Sequence, residues 1–211
     1  MTKRLLIASP KGGAGKTTAA RNIAVAAALD GVVIATADLD PQRTFTNWYS
    51  RRTESSTTWH HYPVDMTEAT ELVEDADFDS AELLIIDTPP SIEANPAGMK
   101  RLIIAADLAL VLCRPTRDDA DSAIPFMRLL RDYERPAAFV LNAVKPRVNM
   151  LAVKGMLDAV GPVCPFGLSD RYDYARAGER GMGLAEIPHH DGVAEVNALW
   201  GWISRELWGR Q

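Results

Sequence analysis

An apolar run, Leu5-Leu6-Ile7-Ala8, leads into Ser9-Pro10-Lys11-Gly12-Gly13-Ala14-Gly15-Lys16-Thr17-Thr18. Residues 19–29, which follow, are alanine-rich and contain neither glycine nor proline. This order of strand, glycine loop and helix constrains the fold more than any other part of the chain. Glycines let successive backbone N–H groups turn inward around an anion, and the helix N-terminus behind them adds partial positive charge. The segment reads as a phosphate-binding loop. Lys16 would reach the β- and γ-phosphates of a nucleotide, and the Thr17 hydroxyl would ligate Mg²⁺.

The rest of the chain repeats the alternation. Residues 4–8, 32–37, 83–86, 108–113 and 137–141 read as strands, and 17–29, 66–76, 94–105, 118–133 and 149–159 as helices. That pattern predicts an α/β fold: βαβ units, with a mostly parallel twisted sheet and helices on both faces. Runs such as Leu83-Leu84-Ile85-Ile86 are apolar without alternation, as expected for strands covered on both faces. A chain of 211 residues is read as one domain, 1–211, with a sizeable core. Ligands on such sheets bind beyond the carboxyl ends of the strands, so the chemistry should follow each run.

Acids and an amide stand at those places. Asp38 and Asp40, in Ala37-Asp38-Leu39-Asp40-Pro41-Gln42, are two residues apart and point the same way on an extended chain. Beside a phosphate loop they can face Mg²⁺ and an attacking water. Asp87, in Leu84-Ile85-Ile86-Asp87-Thr88-Pro89-Pro90, directly follows a buried run, the arrangement that holds Mg²⁺ in phosphoryl-transfer sites. Asn142 ends Phe139-Val140-Leu141, and its amide offers the donor and acceptor that match an adenine edge.

Several alternatives are excluded. The formal net charge of −5 argues against a surface that traps nucleic acid all over, while leaving room for a local basic patch. No apolar run approaches the ~18 residues of a membrane span, and no signal-peptide pattern opens the chain. Cys113 and Cys164 end apolar runs and read as buried thiols in a reducing cytoplasm. His60-His61 and His189-His190 are adjacent, unlike the spacing of a helical zinc site. Residues 193–208 have the spacing of an amphipathic helix that closes the domain. A membrane-surface helix would carry more Lys/Arg than Arg205 and Arg210, which face Glu195 and Glu206.

Taken together, the glycine loop, D-x-D-P-Q and D-T-P-P resemble the ParA/MinD family of dimerising ATPases, with its deviant Walker A loop K-G-G-x-G-K-T-T. The resemblance runs from Lys3 to about Glu186. It implies a P-loop NTPase fold that binds ATP and Mg²⁺ through Lys11, Gly12, Gly13, Ala14, Gly15, Lys16, Thr17 and Thr18. It implies that Lys11 crosses a homodimer interface to the partner's nucleotide, that Asp40 orients the attacking water, and that Asp38 supports the metal shell alongside Thr17 and Asp87. It also places a base-reading Asn at Asn142. Arg114-Pro115-Thr116-Arg117-Asp118 resembles the P-x-x-x-D stretch where such dimers meet.

The first strand begins at once, so the expected relatives are the small ParA class without an N-terminal DNA-binding extension. Those proteins bind DNA non-specifically as dimers, here through Arg147, Lys154, Arg171, Arg176 or Arg180. A cargo-bound adaptor or centromere-binding protein stimulates their hydrolysis. The expected location is cytoplasmic and nucleoid-associated, without stable membrane binding. The alternative is a metabolic ATP-dependent ligase of the same fold, similar to dethiobiotin synthetase.

Overall fold

A computed structural model of the chain describes residues 1–53, 56–74, 80–90, 95–146 and 149–209. Six strands, β1 (Lys3–Ala8), β2 (Ile34–Asp38), β3 (His60–Pro63), β4 (Leu83–Asp87), β5 (Leu108–Cys113) and β6 (Ala137–Leu141), form one sheet in the order β3-β2-β4-β1-β5-β6. Every pairing is parallel. The helices are α1 (Lys16–Leu29), α2 (Thr44–Tyr49), α3 (Ala69–Glu74), α4 (Pro96–Ala105), α5 (Arg117–Asp132), α6 (Leu151–Asp158), α7 (Tyr172–Glu179) and α8 (Gly192–Trp208).

The strand residues divide by parity, as side chains on a pleated strand must. Leu5, Ile7, Leu83, Ile85, Leu108 and Leu110 pack on one face with α1, α2, α7 and α8. Leu6, Ala8, Leu84, Ile86, Ala109 and Val111 pack on the other with α3 to α6. Two covered faces explain the unbroken apolar runs. Because α1 lies on the first face and α4 on the second, the connections that leave the adjacent strands β1 and β4 diverge. They open a crevice beyond the carboxyl ends of these strands, where ligands bind on open α/β sheets.

Register brings the expected residues to that crevice. Asp38 pairs with Asp87 across β2 and β4, and Ile7 pairs with Asp87 across β1 and β4. Asp38 is the last residue of β2 rather than part of the loop after it, because the strand starts and ends later than the apolar pattern suggests.

Three elements lack a signal in the sequence. β3 is a four-residue edge strand, His-His-Tyr-Pro, with no apolar run. α2, Thr-Phe-Thr-Asn-Trp-Tyr, is built from residues that favour strands and is helical because Phe45 and Trp48 anchor it in the core. α7 buries Tyr174, Ala177 and Gly178 in a segment otherwise rich in charge. The expected helix 66–76 splits into a 3₁₀ turn, Met66–Glu68, and α3, and positions 75, 76 and 94 lie outside the described residues.

Candidate nucleotide-binding site

The loop between β1 and α1 has the conformation its glycines predict. Gly13 and Gly15 have φ of +73° and +85°, which a side chain would strain. A Cβ on Gly15 would also overlap the Asn142 amide. Gly15 begins α1 without a side-chain cap, so the N–H groups of the first helical turn face the crevice with no capping oxygen. Such donors, with the helix dipole behind them, favour an anion. Ala14 is buried beneath the loop. The Thr18 carbonyl accepts from Asn22 Nδ2 at 2.8 Å inside α1.

Lys16 is buried, with 6% of its surface exposed, and forms no ion pair among the described residues. Burial pulls its ammonium below the usual lysine value, against the opposing pull of Asp87 and Asp40. An unpaired buried cation beside uncapped N–H groups is a seat for a polyanion.

Asp87 is fully buried. Its Oδ2 accepts from Thr17 Oγ1 at 2.6 Å, while Oδ1 is buried with no hydrogen-bond partner among the described residues. Burial pushes this carboxyl up to about 7, and Asp38 and Asp40 push the same way, while Thr17 and Lys16 draw it back. A hydroxyl and a carboxylate with an unsatisfied oxygen are hard donors suited to Mg²⁺. Among the described residues no three His, Cys, Asp or Glu side chains converge on a metal site. A cation here would need phosphate and water oxygens to complete its shell, the usual arrangement for Mg²⁺ with nucleotides.

The two acids of D-x-D have different surroundings. Asp38 is buried with both oxygens engaged: Oδ1 accepts from Asp40 N at 3.1 Å, and Oδ2 from Thr46 N at 2.9 Å and Thr46 Oγ1 at 2.8 Å. It thereby ties the first turn of α2 to the end of β2. Thr46 continues the chain of bonds to His61 Nε2 at 3.0 Å, and His61 Nδ1 meets Thr36 Oγ1 at 2.8 Å. Asp40 is half-buried, and its Oδ1 accepts from Gln42 N at 2.9 Å.

Asn142 sits at the end of β6, where its Nδ2 donates to the Ala14 carbonyl at 2.6 Å and its backbone N–H to Cys113 O at 2.9 Å. One of its two amide protons thus holds the phosphate loop in place. Beside it, Leu141, Cys164, Pro165 and Gly167 line a cavity of about 180 Å³.

Lys11 Nζ pairs with Asp119 Oδ2 at 3.4 Å. Counting four on from Pro115 reaches Asp119, so the acid of the P-x-x-x-D stretch that faces the loop is this buried one, and the neighbouring Asp118 is exposed. Arg114, at the start of the same stretch, donates through Nη2 to Gly13 O.

The basic residues are scattered. Arg147 lies outside the described residues. Arg171 is paired with Glu195 at 3.1 Å, and Glu195 also accepts from Ser169 and Tyr174. Arg176 and Arg180 are exposed along and just after α7, and Lys154 is half-buried on α6.

An all-parallel sheet with a glycine loop after β1 and an acid at the end of β4, hydrogen-bonded to the first turn of α1, defines a P-loop nucleotide-binding domain. Within that class, the chain belongs to the CobQ/CobB/MinD/ParA nucleotide binding domain family, which matches residues 5–184. It is similar to Protein virC1 of Rhizobium radiobacter, 30% identical over 189 residues covering 84% of this chain and 81% of that protein. It is also similar to Maintenance of carboxysome distribution protein A of Halothiobacillus neapolitanus, 26% identical over 192 residues covering 87% of each. The fold matches a substituted form of Cyanothece McdA solved as an ATP complex, with a TM-score of 0.76 at 18% identity, covering 100% of this chain and 98% of that one.

Proposed function

We propose that the chain is a ParA-type partition or positioning ATPase, in which one domain spanning the chain binds Mg²⁺·ATP, dimerises around it and hydrolyses it slowly. The observation that carries this reading is the hydrogen bond from Thr17 to the buried Asp87, whose Oδ1 is unsatisfied among the described residues, at the same end of α1 as an unpaired Lys16 and uncapped helix N–H groups. Thr17 and Asp87 hold the cation, which when bound would neutralise phosphate charge as it develops. Lys16 and the N–H groups of the loop hold the phosphates. Asp40 positions the attacking water from the rim, and Asp38 acts as the frame of the Asp40 turn because its oxygens are already engaged. Asn142 keeps a second N–H and its carbonyl for the adenine, next to the small cavity at Pro165 and Gly167.

Lys11 leaves Asp119 to contact the nucleotide of a second copy, so ATP favours the dimer by binding it better than the monomer. A relative named for maintenance of carboxysome distribution supports a cargo-positioning role. The dimer would bind nucleoid DNA non-specifically through Arg176, Arg180 and Lys154, and a cargo-bound adaptor would stimulate turnover. Described helices include none long and apolar enough to cross a membrane, and the working location is the cytoplasm, on the nucleoid.

The test is direct. Light scattering of the purified chain should show a dimer with Mg²⁺·ATP and a monomer with ADP. Only the ATP form should shift duplex DNA, and raised salt should abolish that shift. A chain that stays monomeric in ATP, or binds DNA equally with either nucleotide, overturns the reading.

A further inference from the structure

A line of hydrogen bonds runs from the edge of the sheet at β3 to the acid that frames the Asp40 turn. Trp59 Nε1 lies 2.9 Å from Thr36 Oγ1, and Thr36 Oγ1 lies 2.8 Å from His61 Nδ1. His61 Nε2 lies 3.0 Å from Thr46 Oγ1, which lies 2.8 Å from Asp38 Oδ2. Asp38 Oδ1 then accepts from the Asp40 N–H at 3.1 Å. Strand register sets Thr36 opposite His61, and the His61 ring stacks on Tyr49 of α2 with centroids 4.8 Å apart.

One direction of donation satisfies every group in the line. An indole N–H can only donate and a carboxylate can only accept, while a hydroxyl has one proton and a neutral imidazole one donor and one acceptor. Thr46 therefore gives its proton to Asp38 and accepts from His61, which puts the ring proton on Nε2. Nδ1 is then an acceptor, and the fully buried Thr36, which accepts from Trp59, gives its proton to the ring. The opposite tautomer would set the Nε2 lone pair against Thr46 and leave the Thr36 proton without an acceptor. Burial lowers the ring to about 4, with Asp38 pulling it up and Arg43 pushing it down, so it is neutral at pH 7.

We propose that His61 is a positioning residue for ATP hydrolysis: its Nε2–H tautomer commits the Thr46 proton to Asp38, and Asp38 in turn fixes the turn that carries Asp40. This rests on the reading of Asp40 as the residue that positions the attacking water. Among the described residues the His61 ring bonds to Thr36 and Thr46, and not to Lys16, Thr17 or Asp87. It therefore governs turnover and leaves nucleotide affinity alone.

The experiment uses the whole chain as wild type, His61→Phe, His61→Gln, Thr46→Val and the double variant His61→Phe/Thr46→Val. Turnover of saturating Mg²⁺·ATP and calorimetry with Mg²⁺·ADP are measured for each. Phenylalanine keeps a ring in the stack and removes both bonds, so kcat should fall about tenfold while ADP affinity stays within about twofold. Glutamine can place an N–H where Nε2 stands and should recover most of the loss. Thr46→Val should lower kcat alike, and the double variant should be no slower than the slower single one, because the two residues act in series. Additive losses in the double variant, or an unchanged kcat in His61→Phe, overturn the proposal. A parallel loss of ADP affinity shows a merely structural role and also overturns it. So does an Nδ1–H tautomer or a protonated ring for His61 in the ¹⁵N spectrum of the wild type at pH 7, which needs no variant to fold. An Asp40→Ala chain that hydrolyses ATP at the wild-type rate overturns the reading of Asp40 itself, which separates the two failures.

Discussion

Lys11 Nζ and Asp119 Oδ2 lie 3.4 Å apart, so the lysine that distinguishes this loop from an ordinary phosphate loop is held by its own chain. Asp119 also caps α5 with Thr116, whose Oγ1 accepts from the Asp119 N–H at 3.2 Å. Lys11 is 44% exposed and its partner 9%, so the pair is screened on one side and is worth only about 0.2–1 kcal/mol. Asp119→Asn should free Lys11 and raise the ATP-dependent dimer population by a factor of roughly two to five at fixed protein concentration. Light scattering across an ATP titration measures this, and a weaker dimer in the variant would count against a restraining role for Asp119.

Lys16→Ala removes the buried cation at the start of α1. Nucleotide affinity should fall at least about a hundredfold, because the phosphates lose a charge-assisted partner in a desolvated site. The melting temperature of the nucleotide-free chain should stay the same or rise, since Lys16 has no ion pair among the described residues to lose. Calorimetry and thermal melts together check both halves.

Asp38 and Asp40 should separate cleanly. Asp38→Asn turns an amide N–H toward donors that the carboxylate now accepts from, and should cost about 2–4 kcal/mol in urea unfolding. Asp40→Ala touches only the turn at Gln42 and should cost under about 1 kcal/mol. It should also leave ATP bound without turnover, so that the dimer persists on DNA. An Asp40→Ala chain that stays monomeric in ATP would refute the water-positioning role.

The buried carboxyl of Asp87, ordinarily at 3.8, stands at about 7. Without a cation the native state keeps a proton that the unfolded chain has already released. Stability from this group is full below the unfolded value and is lost as pH rises through about 7, by roughly 4 kcal/mol in all. His61 acts in the opposite direction. Burial lowers it from 6.5 to about 4, so stability declines as pH falls across that window. The two windows overlap, and their opposite slopes largely cancel in the wild type. In urea titrations without Mg²⁺, Asp87→Asn should therefore unmask the His61 decline as pH falls from about 6.5 to about 4. Identical pH profiles for wild type and variant would show that Asp87 is not protonated near neutrality. Because protons and Mg²⁺ compete for this carboxylate, Mg²⁺-dependent nucleotide binding should also weaken below pH 7.

Much of the site was legible before folding because its residues act through local backbone geometry. The glycines at 13 and 15 have positive φ, and Asp87 directly follows a run that both core layers bury. α2 and β3 were not legible, since Phe45, Trp48, Trp59 and His61 take their conformation from packing on one another. The different surroundings of Asp38 and Asp40 were hidden for the same reason: they depend on Thr46, which α2 brings to Asp38.

By itself, the amino-acid sequence determined that this chain forms a parallel α/β sheet with a phosphate-binding loop at its carboxyl edge. Glycine conformations, apolar runs and acids at strand ends are short-range properties of the chain. Only the tertiary structure decided which groups are already occupied. It engages Lys11 with Asp119, Asn142 with Ala14 and Arg114 with Gly13, and leaves one oxygen of Asp87 without a partner among the described residues. These pairings join residues more than a hundred positions apart, and strand register and helix placement, which no local pattern encodes, bring them into contact.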